Sequence, residues 1–68
     1  MRLYYNGQAL TEDIHFEDHI EHAVPIQIYE ENAHYDIGFV ERYDGSHVIV
    51  NQTRYPRSRF HFVSRPGY

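Results

Sequence analysis

The chain has no cysteine, no lysine and no tryptophan among its 68 residues. Without cysteine there is neither a disulfide nor a thiolate metal site. A domain near the lower size limit for one core must then be closed by packing, by another kind of metal site or by assembly. Without lysine, all six cations are arginine, the side chain suited to phosphate forks and to stacking on rings. No apolar run approaches the roughly 20 residues that span a bilayer. The start MRLYYNGQ turns polar too early for a secretory signal, so Asn51-Gln52-Thr53 reads as a chance sequon. The expectation is a cytoplasmic protein with no membrane partner. Ser46, Ser58 and Ser64 sit in no nucleophile elbow, and there is no glycine-rich phosphate loop. The expectation is therefore no enzyme, no catalytic residue, no cofactor and no metal.

What is present is unevenly placed. The net charge of −4 divides into one arginine against seven carboxylates in residues 1–34, and five arginines against three in residues 35–68. Seven tyrosines and four phenylalanines supply most of the surface that folding can bury.

The pattern along the chain is that of short strands. RLYY before Asn6-Gly7 reads as a short strand and a tight turn. Val24, Ile26 and Ile28 alternate with Pro25, Gln27 and Tyr29, which is a half-buried strand. Gly38 inside HYDIGFVERY marks a bend, Asp44-Gly45 a hairpin turn, and HVIVN a β-branched strand. Phe60 and Phe62 share one face of RFHFVS. The spacing predicts one mainly β domain, a five-stranded, strongly bent antiparallel barrel over 23–66 after an N-terminal extension or helix over 1–22. Its strands lie near 23–30, 34–43, 46–51, 53–55 and 59–64. Its core includes Val24, Ile26, Ile28, Val40, Val48, Val50, Phe60 and Phe62.

HFEDHIEH, residues 15–22, is open between two readings. On a helix, with Thr11 as N-cap, His15, His19 and His22 share one face; on a strand, His15, Glu17, His19 and Glu21 do. The histidines could chelate a metal or sense pH. The plainer reading is a solvated acidic face.

The run Val24-Pro25-Ile26-Gln27-Ile28-Tyr29, then Asn32, then Gly38-Phe39-Val40-Glu41-Arg42-Tyr43-Asp44, resembles the bacterial Sm-like, Hfq-type RNA chaperones. Tyr55 with Ser64-Arg65-Pro66 is similar to that family's ending. The resemblance implies an Sm/SH3-like small barrel with a helix before its first strand, here over 12–20, with Phe16 and Ile20 resting on the barrel. It implies RNA binding, with Tyr29 at the position that stacks on adenine. The chain departs from the family at Asp44-Gly45-Ser46, Tyr55-Pro56-Arg57 and the acidic TEDIHFEDHIEH.

The functional expectation is thus a non-enzymatic Sm-like binding module for single-stranded RNA. Tyr29 stacks on a base, and Arg54, Tyr55, Arg57 and Arg59 form a phosphate and stacking patch. The alternatives are an acidic protein-interaction module with a protein partner, in which those arginines pair with the acidic half, and a His-rich metal-binding or pH-sensing protein. Pro56 beside a short edge strand favours a monomer or dimer over a hexameric ring.

Overall fold

Residues 33–43 are one extended run that changes sheets at a single point. A Cβ added to Gly38 would lie 2.9 Å from both Asn51 Nδ2 and Val50 Cγ1, so only glycine lets the two layers approach this closely. Asn51 Nδ2 then donates to Ile37 O at 3.0 Å and to Asp36 Oδ1 at 3.1 Å, holding the bend from across the core.

The computed structural model describes residues 3–68. It is mainly β, with strands β1 Ala9–Leu10, β2 Ile26–Glu30, β3 Ala33–Gly38, β4 Val40–Tyr43, β5 His47–Val50, β6 Thr53–Pro56 and β7 His61–Ser64, and one helix, α1 Asp13–Glu21. The strands form a four-stranded sheet A in the order β1-β7-β2-β3 and a three-stranded sheet B in the order β4-β5-β6. Every pairing is antiparallel. Seven strands in two open sheets thus replace the expected five-stranded barrel. Two of the additional strands have plain causes. The expected strand 34–43 is divided at Phe39 by the bend, and β1 adds two residues to the edge of β7.

Two further expectations about the strands are corrected. Leu3–Tyr5 form no strand, and Arg2 lies outside the described residues; the chain turns at Gly7, whose φ is +89°, and pairs only from Ala9. Val24 is half-buried outside β2. The helix end forces this, because Val24 N still donates to His19 O at 3.1 Å and Ala23 is left-handed, φ +51°. Pro25 has no N–H for a ladder, so pairing starts at Ile26. The other expected core residues are buried, joined by Leu10, Phe16 and Tyr55.

Asp44 terminates its hairpin as its residue type requires. Its Oδ1 accepts from Ser46 N at 2.7 Å and His47 N at 2.8 Å. Those backbone donors hold its carboxyl below the usual range.

Helix α1 settles the reading of residues 15–22. Its N-cap is Glu12 rather than Thr11, and His15 takes the place of the glutamate of a capping box. His15 Nδ1 accepts from Thr11 N at 3.0 Å and Glu12 N at 3.1 Å. Phe16 is 1% exposed and meets Phe62 edge-on, 5.4 Å between centroids. Ile20 packs at the rim of the same cluster.

His19 is not on a solvated stripe. It is 1% exposed, against a Ser64 that is wholly buried. Its Nδ1 lies 2.6 Å from His15 O, which can only accept, so Nδ1 carries the proton. Nε2, 2.7 Å from Ser64 Oγ, therefore accepts from the serine hydroxyl. Tyr4 packs edge-on against the imidazole at 4.4 Å and donates to Asp18 Oδ2 at 2.6 Å. Burial lowers the His19 pKa despite the carbonyl of His15 and the charge of Asp18.

Two outcomes follow from this bolt between α1 and β7. Ser64→Ala leaves Nε2 without a donor and should cost about 1–3 kcal/mol by chemical denaturation. Near pH 6.5 the unfolded chain binds a proton at this position that the folded chain resists. Stability contributed by neutral His19 is therefore full at higher pH and lost as pH falls through and below about 6.5. Replacing His19 with Gln should flatten that part of the stability curve; an unchanged curve would assign it to other groups.

Candidate nucleic-acid interface

The strand period assigns two faces to sheet A. Ile26, Ile28, Phe62, Ser64 and Leu10 point inward and are buried. The residues between them point outward: Ala9 on β1, His61 and Val63 on β7, Gln27 and Tyr29 on β2. The register aligns them in rows. One runs Ala9–Val63–Gln27–Ile37, and the next His61–Tyr29–His34. On β3 the alternation survives a bulge, because Asp36 opposes Ile28 and His34 opposes Tyr29, leaving Tyr35 as the extra residue. Its ring turns to Phe60, 5.1 Å between centroids.

The second row puts three planar rings side by side on a solvent-facing sheet. Tyr29 and His34 meet edge-on at 6.0 Å. Arg65, just beyond β7, is tied into the same surface. Its Nε donates to Gln27 Oε1 at 2.6 Å, one Nη to Tyr29 Oη at 3.0 Å and the other to Asn6 Oδ1 at 3.2 Å. Its guanidinium also lies over Tyr68, 5.7 Å from the ring centre. Among the described residues no carboxylate occupies an outward position in these rows. On a chain of net charge −4, that is a surface of rings beside one guanidinium.

The expected patch at Arg54, Tyr55, Arg57 and Arg59 is not one surface. Tyr55 is 4% exposed in the core, its hydroxyl donating to Asp36 Oδ2 at 2.5 Å. Burial and that carboxylate push its pKa up to about 12. Arg57 binds the N-terminal half. It donates to Asp13 Oδ1 at 2.6 Å, Asp44 O at 2.7 Å and Thr11 O at 3.2 Å, with its guanidinium 4.9 Å from the centre of the Phe16 ring. Arg59 pairs with Glu30, which raises its pKa. Arg54 is exposed on the outer face of sheet B, where it and Arg42 flank Ile49 across the strands. Neither has a carboxylate partner among the described residues. Tyr29 alone of the expected residues joins the sheet A face.

The three histidines of residues 15–22 do not converge. His15 Nδ1 and both nitrogens of His19 are already engaged, and His22 caps the helix end. Among the described residues no group of three His, Asp or Glu side chains is placed to hold a metal ion. No helix among them is long and apolar enough to cross a membrane.

Sequence reasoning missed Gln27, His34, His61 and Arg65. Gln27 was within reach, because the period that buries Ile26 and Ile28 turns it outward. His61 follows in the same way from Phe60 and Phe62. His34 was hidden by the bulge, and Arg65 contributes from a loop, where period says nothing. Comparison with protein-family models, curated proteins and solved structures returned no match.

Arg57 and Arg59 should separate under substitution. Arg57→Ala removes three hydrogen bonds, two to the N-terminal half and one to the Asp44 turn, and should cost about 1–3 kcal/mol in thermal or denaturant melts. Arg59→Ala, breaking an exposed pair, should leave the melting temperature nearly unchanged. Equal effects would contradict these placements.

Proposed function

We propose that the protein is a non-enzymatic binding module of Sm-like type that takes single-stranded RNA across the outer face of sheet A. The observation that carries this is the row His61–Tyr29–His34 with Arg65 bonded to Tyr29, in rows whose outward positions hold no carboxylate among the described residues. Stacking rings beside a cation are what sequence-tolerant single-strand binding uses. Arg54 and Arg42, on sheet B without a carboxylate partner among the described residues, add cations for the phosphate chain. The likeness to Sm-like chaperones supports the same reading through the helix before β2, the bend at Gly38 and the turn at Asp44.

One observation favours a second reading, a protein-interaction module. Ile37 and Phe39 stay 38% and 55% exposed beside the same face, and such apolar groups can dock a protein chain as well as a base.

Assembly as a monomer or dimer, rather than a ring, belongs to the proposal. β1 covers the outer edge of β7 at Phe62 and Val63, and β6 ends in Pro56. Ring closure by edge pairing would have to displace the first and tolerate the second. Sedimentation velocity should show at most two subunits, and a stable species near six would overturn this part.

Fluorescence polarisation with labelled 12-nucleotide RNAs at low salt should give submicromolar, salt-sensitive binding. Tyr29→Ala should weaken it by about 1–3 kcal/mol, and Arg54→Ala should lower the salt slope by about 0.7. No binding at micromolar protein would reject the RNA reading in favour of the protein-interaction module.

A further inference from the structure

The hydrogen bonds on the sheet A face admit only one arrangement of protons around Tyr29. A guanidinium has donors and no acceptor, so the 2.6 Å contact of Arg65 Nε fixes the near atom of Gln27 as its carbonyl oxygen. The amide nitrogen of Gln27 is then the atom 2.7 Å from His34 Nδ1. It donates, so Nδ1 is unprotonated and the proton of neutral His34 sits on Nε2. Similarly, Tyr29 Oη accepts from Arg65 at 3.0 Å, which leaves its own hydroxyl proton to give. The side chains between Arg65 and His34 therefore show an incoming ligand donors: His34 Nε2–H and Tyr29 Oη–H, backed by the guanidinium. The acceptors of Gln27 and Asn6 are already taken by Arg65. His61, on the other side of Tyr29, has no hydrogen-bond partner among the described residues and presents either kind.

We propose that this donor-rich corner makes the face selective for keto bases, guanine and uracil, over the amino bases adenine and cytosine, in place of the adenine contact that the Sm-like resemblance implies for Tyr29. The inference rests on the single-stranded RNA reading. A base stacked on Tyr29 presents an edge toward His34. Guanine offers two acceptors there, O6 and N7, and uracil offers O4; adenine has N7 but puts an amine donor where guanine has O6, and cytosine puts an amine where uracil has O4. A donor facing a donor leaves both unpaired, which discriminates more sharply than a missing contact. His34 is the specificity-determining residue. Gln27 is a positioning residue that sets its tautomer, and Arg65 in turn orients Gln27.

The charged and titratable groups around His34 are Tyr29 and Glu30 on β2, Glu31 in the following turn, Asp36 on its own strand and Arg65 beyond Gln27. Glu30 is held by Arg59, and Asp36 by Tyr55 and Asn51. In the neutral ring the tautomer is set by Gln27.

The test has one arm without RNA and one with it. Nitrogen-15 NMR of the imidazole at pH 8 should show His34 protonated on Nε2, and Gln27→Glu, which supplies only acceptors, should move the proton to Nδ1. A wild-type Nδ1–H form would overturn the proposal. Polarisation at the same pH and salt, with repeating UG and repeating AC 12-mers, should show UG bound about tenfold tighter, the scale of one base-edge recognition. His34→Ala should bring the two strands within about twofold of each other, because the donor that tells them apart is gone. Equal wild-type affinity for both strands would overturn the base preference alone. Absence of binding to either would instead reject the RNA reading on which it rests.

Discussion

The close approach at Gly38 is the constraint on which the rest of this structure depends. A chain of 68 residues without disulfides must bury Ile26, Ile28, Val48, Val50, Phe60 and Phe62 together, and they lie on two sheets. Only a run that leaves one sheet and enters the other can put them on facing surfaces. Gly38 permits it because no Cβ stands between the backbone and Val50 or Asn51. Once the sheets face inward, their alternate residues must face outward, and the row His61–Tyr29–His34 is the consequence.

Charge is then divided by geometry rather than by composition. Arg57 and Arg59 go to Asp13 and Glu30, so two of the cations that looked available for phosphate hold the acidic half to the basic half. Arg57 also covers Phe16, joining helix, hairpin turn and core in one contact. Among the described residues the cations left over, Arg42, Arg54 and Arg65, stand on outer faces. A net negative chain in this way keeps cations on the outer sides of both sheets, although it lacks the long-range attraction a basic protein would have. Short-range stacking has to carry correspondingly more of any RNA affinity.

The alternation of Val24 to Tyr29 and the β-branched run of HVIVN were enough to place β2 and β5, and Gly38 was enough to place the bend. The helix needed more than pattern. Its apolar residues are too few to show a helical period, because Phe16 alone is fully buried and His19 fills a position where an aliphatic residue would have signalled it. Its partner Ser64 is 45 residues away, and no local rule predicts such a pair. RYPRSR misled in the other direction. Its three arginines and tyrosine are adjacent in sequence, but Tyr55 turns inward while Arg54, its neighbour on β6, turns outward. Proximity along the chain is a poor guide to a site on a strand. The residues that do cluster come from β2, β3, β7 and the loop after it, and only the register brings them together.

The central claim is that one face of one sheet receives the ligand, and amide chemical-shift mapping tests it most directly. Titrating a mixed-sequence single-stranded 12-nucleotide RNA into nitrogen-15-labelled protein should perturb Gln27, Tyr29, His34, His61, Val63 and Arg65 first and most strongly. Smaller shifts should follow on β5 and β6 near Arg54. Perturbations centred on α1 or on residues 57–59, with the sheet A face silent, would contradict the account.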